Sequence, residues 1–441
     1  MSRRSIALAI ARALLTPPVN RFGMLERLPL CVRFAPRWNE LLVDHLLAAG
    51  VAGDWSVRRV ADTIEQEPSF AGALEEARER PVVHGWFMSR ASTLAPAPTA
   101  LQAVARPHWP GVGALAEGLD VSIPGLWRLT RSASWQRQAP LGDQHYRYEL
   151  LPKRTGGWRL LEVPHPYLRA LQRKLLDELV ARVPPHEAAV GYVRGRSVVD
   201  HARAHAGQAV LLKFDLQDFF ATVRAARVHA TFAELGYSPA VARELMALCT
   251  TATPEPVLER LRSEGGLTWT QAMRLRDAHL PQGAPTSAAL SNLCAFRLDT
   301  RIAGLARALG ARYTRYADDI VLSGDAGLLR SADRVETRLG AWAREEGFAL
   351  NHRKTRRVTR SRRQEVCNIV VNARPNLPRE EFDRLKAQLH ACATRGASAQ
   401  NRAGLPNWEQ HLRGRVAWVE QLNAPKAQRL RRLLERIDWS T

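Results

Sequence analysis

The hydrophobic positions of the chain follow two periods along its length, and the period changes near residue 145. Before about residue 93, apolar residues recur at helical spacing, as in "WNELLVDHLLAAGVA" and "FAGALEEARERPVVHGWFM". From about residue 145, short strand-like segments alternate with helical ones, which predicts a mixed sheet and helix region. Beyond Arg374 the spacing is helical again in "REEFDRLKAQLHACATRG" and "PKAQRLRRLLERIDW". The chain is therefore predicted to be α+β, with helical segments at both ends.

Two segments between these regions suggest a boundary. The stretch "LAPAPTALQAVARPHWPGVG", residues 94–113, is rich in Pro, Ala and Gly and is the best candidate for a linker. The following "GALAEGLDVSIPGLWRLT" predicts two short helices around a turn. Such a pair occurs in DNA-binding helix-turn-helix domains, but packing within a small domain is the more common explanation.

Charge and cysteine content narrow the class of protein. The chain has 64 Lys and Arg residues against 43 Asp and Glu residues, a net charge of +21. This excess favours a polyanionic partner, most simply nucleic acid, and both C-terminal helices are candidates for its binding surface. The alternative is a basic protein whose charged helix faces are only solvated. The five cysteines are scattered without a C-x-x-C pair, which argues against a zinc module or a disulfide framework and favours the cytoplasm.

Acidic residues interrupt two of the apolar segments. In "YTRYADDIVLSG" the flanks favour strands, and a tight turn between them would lift Asp318 and Asp319 to the tip of a hairpin. In "VLLKFDLQDFFATV" a buried-strand pattern ends at Asp215. Carboxylates at the ends of two strands are typical of a two-metal site that holds Mg²⁺. We interpret Asp218, but not Asp215, as a helix cap.

A third segment, "HLPQGAPTSAALSN", predicts a tight loop that opens into a helix of small residues. Together, "FDLQDFF", "LPQGAPTS", "YADD" and "GFALNHRKT" resemble the palm of reverse transcriptases in order and spacing. The resemblance extends from about residue 146 to the C-terminus. Within that family the chain is most similar to bacterial retron-type enzymes, through "LLPKRTGGWRLLEVPHPYLRALQRKLL", "HEAAVGYVRGRSVVDHARAH" and "VVNARPNLPRE".

The resemblance implies a fold and a division of the chain. The fold is the right-hand polymerase fold with fingers, palm and a small helical thumb. Residues 1–112 would form a helical N-terminal extension, residues 113–375 the fingers and palm, and residues 376–441 the thumb.

The resemblance also assigns roles to nine residues. Asp215, Asp318 and Asp319 would be the catalytic residues and would hold two Mg²⁺ ions. Phe220 would be the aromatic residue that collides with a ribose 2′-hydroxyl, so deoxynucleotides would be selected. The full set implied to bind the nucleoside triphosphate comprises Lys153, Arg159, Phe220, Gln282, Gly283 and Lys354.

Two short segments differ from the usual retron sequence. An Asn-Ala-x-x-His element is replaced by "HARAH", in which His201 stands for the Asn, and Val-Thr-Gly is replaced by "VCN", residues 366–368. The second of these elements is associated with recognition of the cognate RNA. His201 and His205 are one helical turn apart, and we favour RNA contacts or packing over a metal site for them because no third ligand is evident.

The resulting interpretation is an RNA-directed DNA polymerase that copies a structured noncoding RNA into RNA-linked single-stranded DNA in an antiphage system. Its implied partners are that RNA as template and primer, the RNA–DNA hybrid product and deoxynucleoside triphosphates, with no membrane. An accessory effector protein is left open as a further partner. The alternatives are another bacterial reverse transcriptase with different RNA recognition, a catalytically idle RNA-binding protein on the same scaffold, and a DNA-binding regulator that uses residues 113–130.

Overall fold

The structure is a computed structural model in which residues 3–16, 19–51, 55–77, 83, 104–152, 158–264 and 267–439 are described. Most of the predicted linker, residues 94–103, and Lys153 lie outside these ranges. The described residues fall into two units, one within residues 1–98, 107–128 and 233–244, and the other within 99–106, 129–232 and 245–441.

In the described ranges, helices occur near both ends and in the middle of the chain, and the strands lie between residues 146 and 370. The helices are α1 (Arg3–Leu14), α2 (Arg21–Cys31), α3 (Pro36–Ala48), α4 (Val57–Gln66), α5 (Pro68–Glu76), α6 (Val112–Gly118), α7 (Ile123–Leu129), α8 (Ala133–Gln138), α9 (Pro166–Glu178), α10 (Val198–Ala204), α11 (Phe219–Thr222), α12 (Ala225–Glu234), α13 (Pro239–Cys249), α14 (Glu255–Ser263), α15 (Trp269–Arg276), α16 (Ser287–Cys294), α17 (Phe296–Ala308), α18 (Gly327–Arg330), α19 (Ala332–Glu345), α20 (Arg379–Arg395), α21 (Ala397–Gln400), α22 (Trp408–Leu422) and α23 (Ala424–Leu434). The strands are β1 (Tyr146–Pro152), β2 (Trp158–Pro164), β3 (Val210–Asp215), β4 (Arg312–Tyr316), β5 (Asp319–Gly324), β6 (Arg356–Thr359), β7 (Glu365–Val366) and β8 (Ile369–Val370).

The first unit has an apolar core formed by helices, as the spacing predicts. Helix α1 contributes Ile6, Ile10 and Leu14 at four-residue intervals, and all three are buried. Trp38 stacks on Phe70 with ring centroids 6.0 Å apart in the same core. The predicted pair of short helices is also confirmed, as α6 and α7.

The second unit is organised around a four-stranded antiparallel sheet with the order β4-β5-β3-β6. Strand β3 is central in the sheet and five of its six residues are buried, which explains its apolar sequence. Two smaller antiparallel pairs, β1 with β2 and β7 with β8, complete the strands. The α+β prediction is therefore confirmed, and the hairpin predicted from "YTRYADDIVLSG" is formed by β4 and β5.

The C-terminal helices pack against this sheet through one apolar core. Phe382 and Leu389 of α20, Val419 of α22 and Leu430 of α23 are buried in the same cluster as Leu211 of β3. Among the described residues, no helix is long and apolar enough to cross a membrane. None of the five cysteines, all of which lie in the described ranges, forms a disulfide bond.

Candidate active site

The ends of two neighbouring strands bring the predicted carboxylates together. Asp215 is the last residue of β3, and it lies directly opposite Asp319, the first residue of β5. Asp318 lies in the two-residue turn between β4 and β5, and its carbonyl oxygen accepts a hydrogen bond of 2.9 Å from the Leu216 amide. Asp215 thus shares one edge of the sheet with Asp318 and Asp319, which follow it by 103 and 104 positions in the sequence.

The electrostatics of this edge are unfavourable for the carboxylates on their own. Burial raises the pKa of Asp318 to about 6, and the negative charges of Asp319 and Asp215 contribute to the rise. Burial also raises the pKa of Asp319, while the positive charge of Lys213 opposes that rise. Both directions follow because burial and nearby like charges each disfavour the ionised carboxylate. A bound cation would therefore stabilise the ionised form of these carboxylates.

A protein cation already occupies part of the site. The Lys354 ammonium nitrogen lies 2.8 Å from Oδ2 of Asp215, and the Cys367 thiol lies 3.5 Å from Oδ2 of Asp319. In the described ranges, no group of three or more His, Cys, Asp or Glu side chains is already arranged to hold a metal ion. The donor set itself fits Mg²⁺, because carboxylate oxygens are the protein ligands that this ion prefers. The Lys354 contact also indicates that a positive charge is accepted beside Asp215.

The residues that are predicted to bind the nucleotide differ in their exposure to solvent. The half-buried Phe220 ring follows α11's first residue and lies 6.1 Å from the ring of Tyr192. Gln282 is half-buried in the loop that precedes α16, and Arg159 is exposed on β2. Lys354, which the resemblance assigns to the nucleoside triphosphate site, contacts Asp215 in this structure.

Asp218 does not cap a helix through its side chain, contrary to the interpretation of the sequence. Its backbone has φ +47° at the start of α11, and its side chain makes no capping hydrogen bond. The carboxylate instead accepts hydrogen bonds of 2.7 Å from Arg274 and 3.2 Å from Gln271, both on α15. Asp218 therefore connects the turn after β3 to α15.

Sequence reasoning missed a buried ion pair behind the turn. Arg315 and Asp299 are both fully buried, and two guanidinium nitrogens lie 2.8 and 2.6 Å from the carboxylate oxygens. Arg315 also donates to the Ala317 carbonyl at 2.9 Å, so the pair holds the backbone next to Asp318. The only available signal was the alternation of "YTRY", which places Arg315 on the inner face of its strand.

The two histidines of "HARAH" are buried, which supports packing and not a surface contact to RNA. His201 and His205 both bond the Thr314 hydroxyl, at 2.6 and 2.7 Å, and His205 also bonds the Ser323 hydroxyl at 2.6 Å. Burial lowers the pKa of each imidazole to about 3. The pair therefore links α10 to β4 and β5 as neutral side chains.

We expect acid to destabilise the protein through these histidines. Because their unfolded pKa is near 6.5, the unfolded chain binds protons below that pH that the folded chain refuses until about pH 3. Stability present at neutral pH is lost as the pH falls, by about 2 kcal/mol per histidine at pH 5. Urea midpoints at pH 7.5 and 5 should differ less in His205→Gln than in the wild type. The exposed His390→Gln is the control, and an equal pH effect in all three proteins would contradict this expectation.

Comparison with known proteins identifies the family. Residues 151–385 match the family described as "Reverse transcriptase (RNA-dependent DNA polymerase)". Retron Mx65 reverse transcriptase of Myxococcus xanthus is 39% identical over 333 residues, which cover 74% of this chain and 71% of that protein. Retron Mx162 reverse transcriptase of the same organism is 32% identical over 331 residues, covering 71% of this chain and 64% of that protein.

Two further similarities are more distant. Retron Ec86 reverse transcriptase of Escherichia coli is 25% identical over 299 residues, covering 67% of this chain and 82% of that protein. A telomerase structure from Candida albicans aligns with a TM-score of 0.37 and 12% identity over 68% of this chain and 56% of that one, which is too distant to bear on function. The chain therefore belongs to the retron reverse transcriptases, a family of RNA-directed DNA polymerases.

Proposed function

We propose that this enzyme adds deoxynucleotides at the edge of the sheet where Asp215, Asp318 and Asp319 meet. The observation that carries the proposal is the register of β3 and β5, which sets Asp215 directly opposite Asp319 beside the Asp318 turn. Two Mg²⁺ ions, when bound, would activate a primer hydroxyl and neutralise charge on the transferring phosphate. The three carboxylates would hold these ions.

The remaining roles concern the nucleoside triphosphate. Arg159, with Lys153 six residues earlier in the sequence, would contact the triphosphate, since a guanidinium offers several fixed donors to phosphate oxygens. Gln282 and Gly283 would line the pocket for the nucleotide. Lys354 would balance the charge of Asp215 in the free enzyme and would contact the pyrophosphate once the cations are bound. The Lys354 ammonium group would thus move from Asp215 to the pyrophosphate when the metal ions and the nucleotide bind.

The substrate would be a structured noncoding RNA that supplies both template and primer, and the product would be RNA-linked single-stranded DNA in an antiphage system. Support comes from similarity to retron enzymes and from the net charge of +21. The fingers and palm would comprise residues 113–375 and the thumb residues 376–441, after an extension of residues 1–112.

The test is to express the chain with its neighbouring genomic sequence and isolate the DNA that copurifies with it. We expect a single-stranded DNA whose electrophoretic mobility changes after RNase treatment, together with Mg²⁺-dependent extension of a DNA primer on RNA by the purified protein. DNA that is insensitive to RNase would contradict the RNA-linked product. Extension without any such DNA would leave only the polymerase part of the proposal standing.

Phe220 supplies a separate prediction about the sugar. Truncation in Phe220→Ala removes the ring that would collide with a ribose 2′-hydroxyl, so discrimination against ribonucleotides should fall by about 10- to 200-fold. The ratio of kcat/KM for deoxynucleotides and ribonucleotides measures this effect. Phe220→Tyr keeps a ring at the same position and should keep the discrimination. Efficient ribonucleotide use by the wild type would contradict the assignment.

A further inference from the structure

A buried contact between a carboxylate and a histidine connects β2 to the "HLPQG" segment, His279 to Gly283. Glu162 of β2 and His279, which begins the loop, are almost completely buried, and the His279 Nε2 atom lies 2.8 Å from Oε2 of Glu162. The Thr253 hydroxyl donates a hydrogen bond of 2.8 Å to the other carboxylate oxygen. The proposed nucleotide chemistry uses neither residue of this pair.

The pair is completely hydrogen-bonded. The His279 Nδ1 atom lies 2.7 Å from the Asp277 carbonyl oxygen, so both ring nitrogens face acceptors. Removal of either side chain would leave the other buried without its hydrogen-bond partner, so this contact fixes Glu162 and His279 relative to each other.

Glu162 also fixes the backbone of the same loop. Its amide donates a hydrogen bond of 2.9 Å to the Gln282 carbonyl oxygen. At Gly283, φ is +137° and a Cβ atom would lie 2.9 Å from the Glu162 carbonyl oxygen, so only glycine allows this approach. One residue of β2 thus contacts the loop at His279, Gln282 and Gly283.

This arrangement connects two proposed parts of the nucleotide site. Arg159 lies three residues before Glu162 on β2 and points to the opposite, exposed side of the strand. Gln282 lies three residues after His279. A shift of the loop relative to β2 would therefore change the separation between the triphosphate contact and the pocket.

We propose that Glu162 and His279 are positioning residues that hold the Gln282–Gly283 pocket in register with Arg159 for the incoming nucleotide. This inference rests on the proposed roles of Arg159 and Gln282. The pair does not touch the nucleotide and acts through the loop. Losing the side-chain contact should weaken nucleotide binding more than it slows the bound enzyme.

The test compares two substitutions of Glu162 by steady-state primer extension. Glu162→Ala removes the acceptor, and we expect the KM for deoxynucleotides to rise by about tenfold while kcat changes less than about twofold. Glu162→Gln can donate its amide hydrogen to neutral His279 and still accept from Thr253, so its KM should remain within about threefold of wild type. An unchanged KM in Glu162→Ala, or an equal rise in both variants, would overturn the proposal.

A milder variant and two controls complete the test. Thr253→Val, which keeps the side-chain shape, should raise KM by about threefold even if Glu162→Ala does not fold, and an unchanged KM there would overturn the proposal. His205→Gln removes another buried, hydrogen-bonded histidine and should lower stability without raising KM. Arg159→Ala and Gln282→Ala test the underlying site separately, because an unchanged KM in both would reject the proposed nucleotide contacts themselves.

Discussion

Asp318→Asn is expected to abolish nucleotide addition while leaving the protein folded. The substitution keeps the shape of the side chain and removes one of three clustered negative charges that would hold the cations. A loss of about 4 kcal/mol of transition-state stabilisation corresponds to a rate decrease of about 1,000-fold. Removal of one like charge from the buried group should leave the melting temperature unchanged or raise it. Single-turnover primer extension and thermal unfolding measure the two effects.

The matched control for this prediction is Asp325→Asn. Asp325 is exposed just beyond the other end of β5, where its carboxylate accepts a hydrogen bond of 2.8 Å from the Gly327 amide. This variant should retain wild-type extension. Extension by Asp318→Asn at more than about a tenth of the wild-type rate would reject the metal-holding role, since such a small loss is below that expected for a ligand.

Arg315→Met is expected to have the largest effect on stability. It would leave the Asp299 carboxylate fully buried without its guanidinium partner, which typically costs about 3–5 kcal/mol. Tyr313, whose hydroxyl also bonds Asp299, would be the remaining donor to that carboxylate. Urea unfolding followed by circular dichroism measures the loss. Activity should also fall, because the new side chain cannot hold the Ala317 carbonyl next to Asp318, which we propose as a metal-holding residue.

A double variant distinguishes the effect of an unpaired buried charge from the effect of poorer packing. Arg315→Met combined with Asp299→Leu removes both charges and should recover most of the lost stability. Activity should recover less, since neither new side chain can donate to the Ala317 carbonyl. Equal destabilisation in the single and double variants would mean that packing around Arg315, and not the unpaired carboxylate, causes the effect.

The sequence predicted those parts of the site that have a local pattern. An apolar strand that ends in Asp215 and a hairpin turn at Asp318 both depend on neighbouring residues, and the structure contains both. The partner of each charged side chain could not be predicted in this way. The sequence before α11 predicts that Asp218 caps this helix, but the partner of its side chain, Arg274, is 56 positions away.

The partners within a buried pair are equally hard to predict from the sequence. Glu162 and His279 are 117 positions apart, and neither segment has a pattern that identifies the other. Polar residues within apolar segments can be recognised as unusual, but their pairing depends on how the sheet and loops come together. The roles proposed for Phe220 and Gln282 come from the resemblance to reverse transcriptases. The local sequence pattern alone does not assign them.

The pairing of β3 with β5 also determines what happens when the sheet forms in the wrong register. Side chains alternate between the two faces of a strand, so a slip of one residue would carry Asp215 to the face opposite its present one and exchange the apolar side chains that the two faces of β3 bury. A misaligned sheet would therefore lose both its core and its carboxylate pair at once. A partly misfolded population should contain inactive molecules mixed with fully active ones, so the active fraction in a titration with tight-binding primer–template would report folding quality directly.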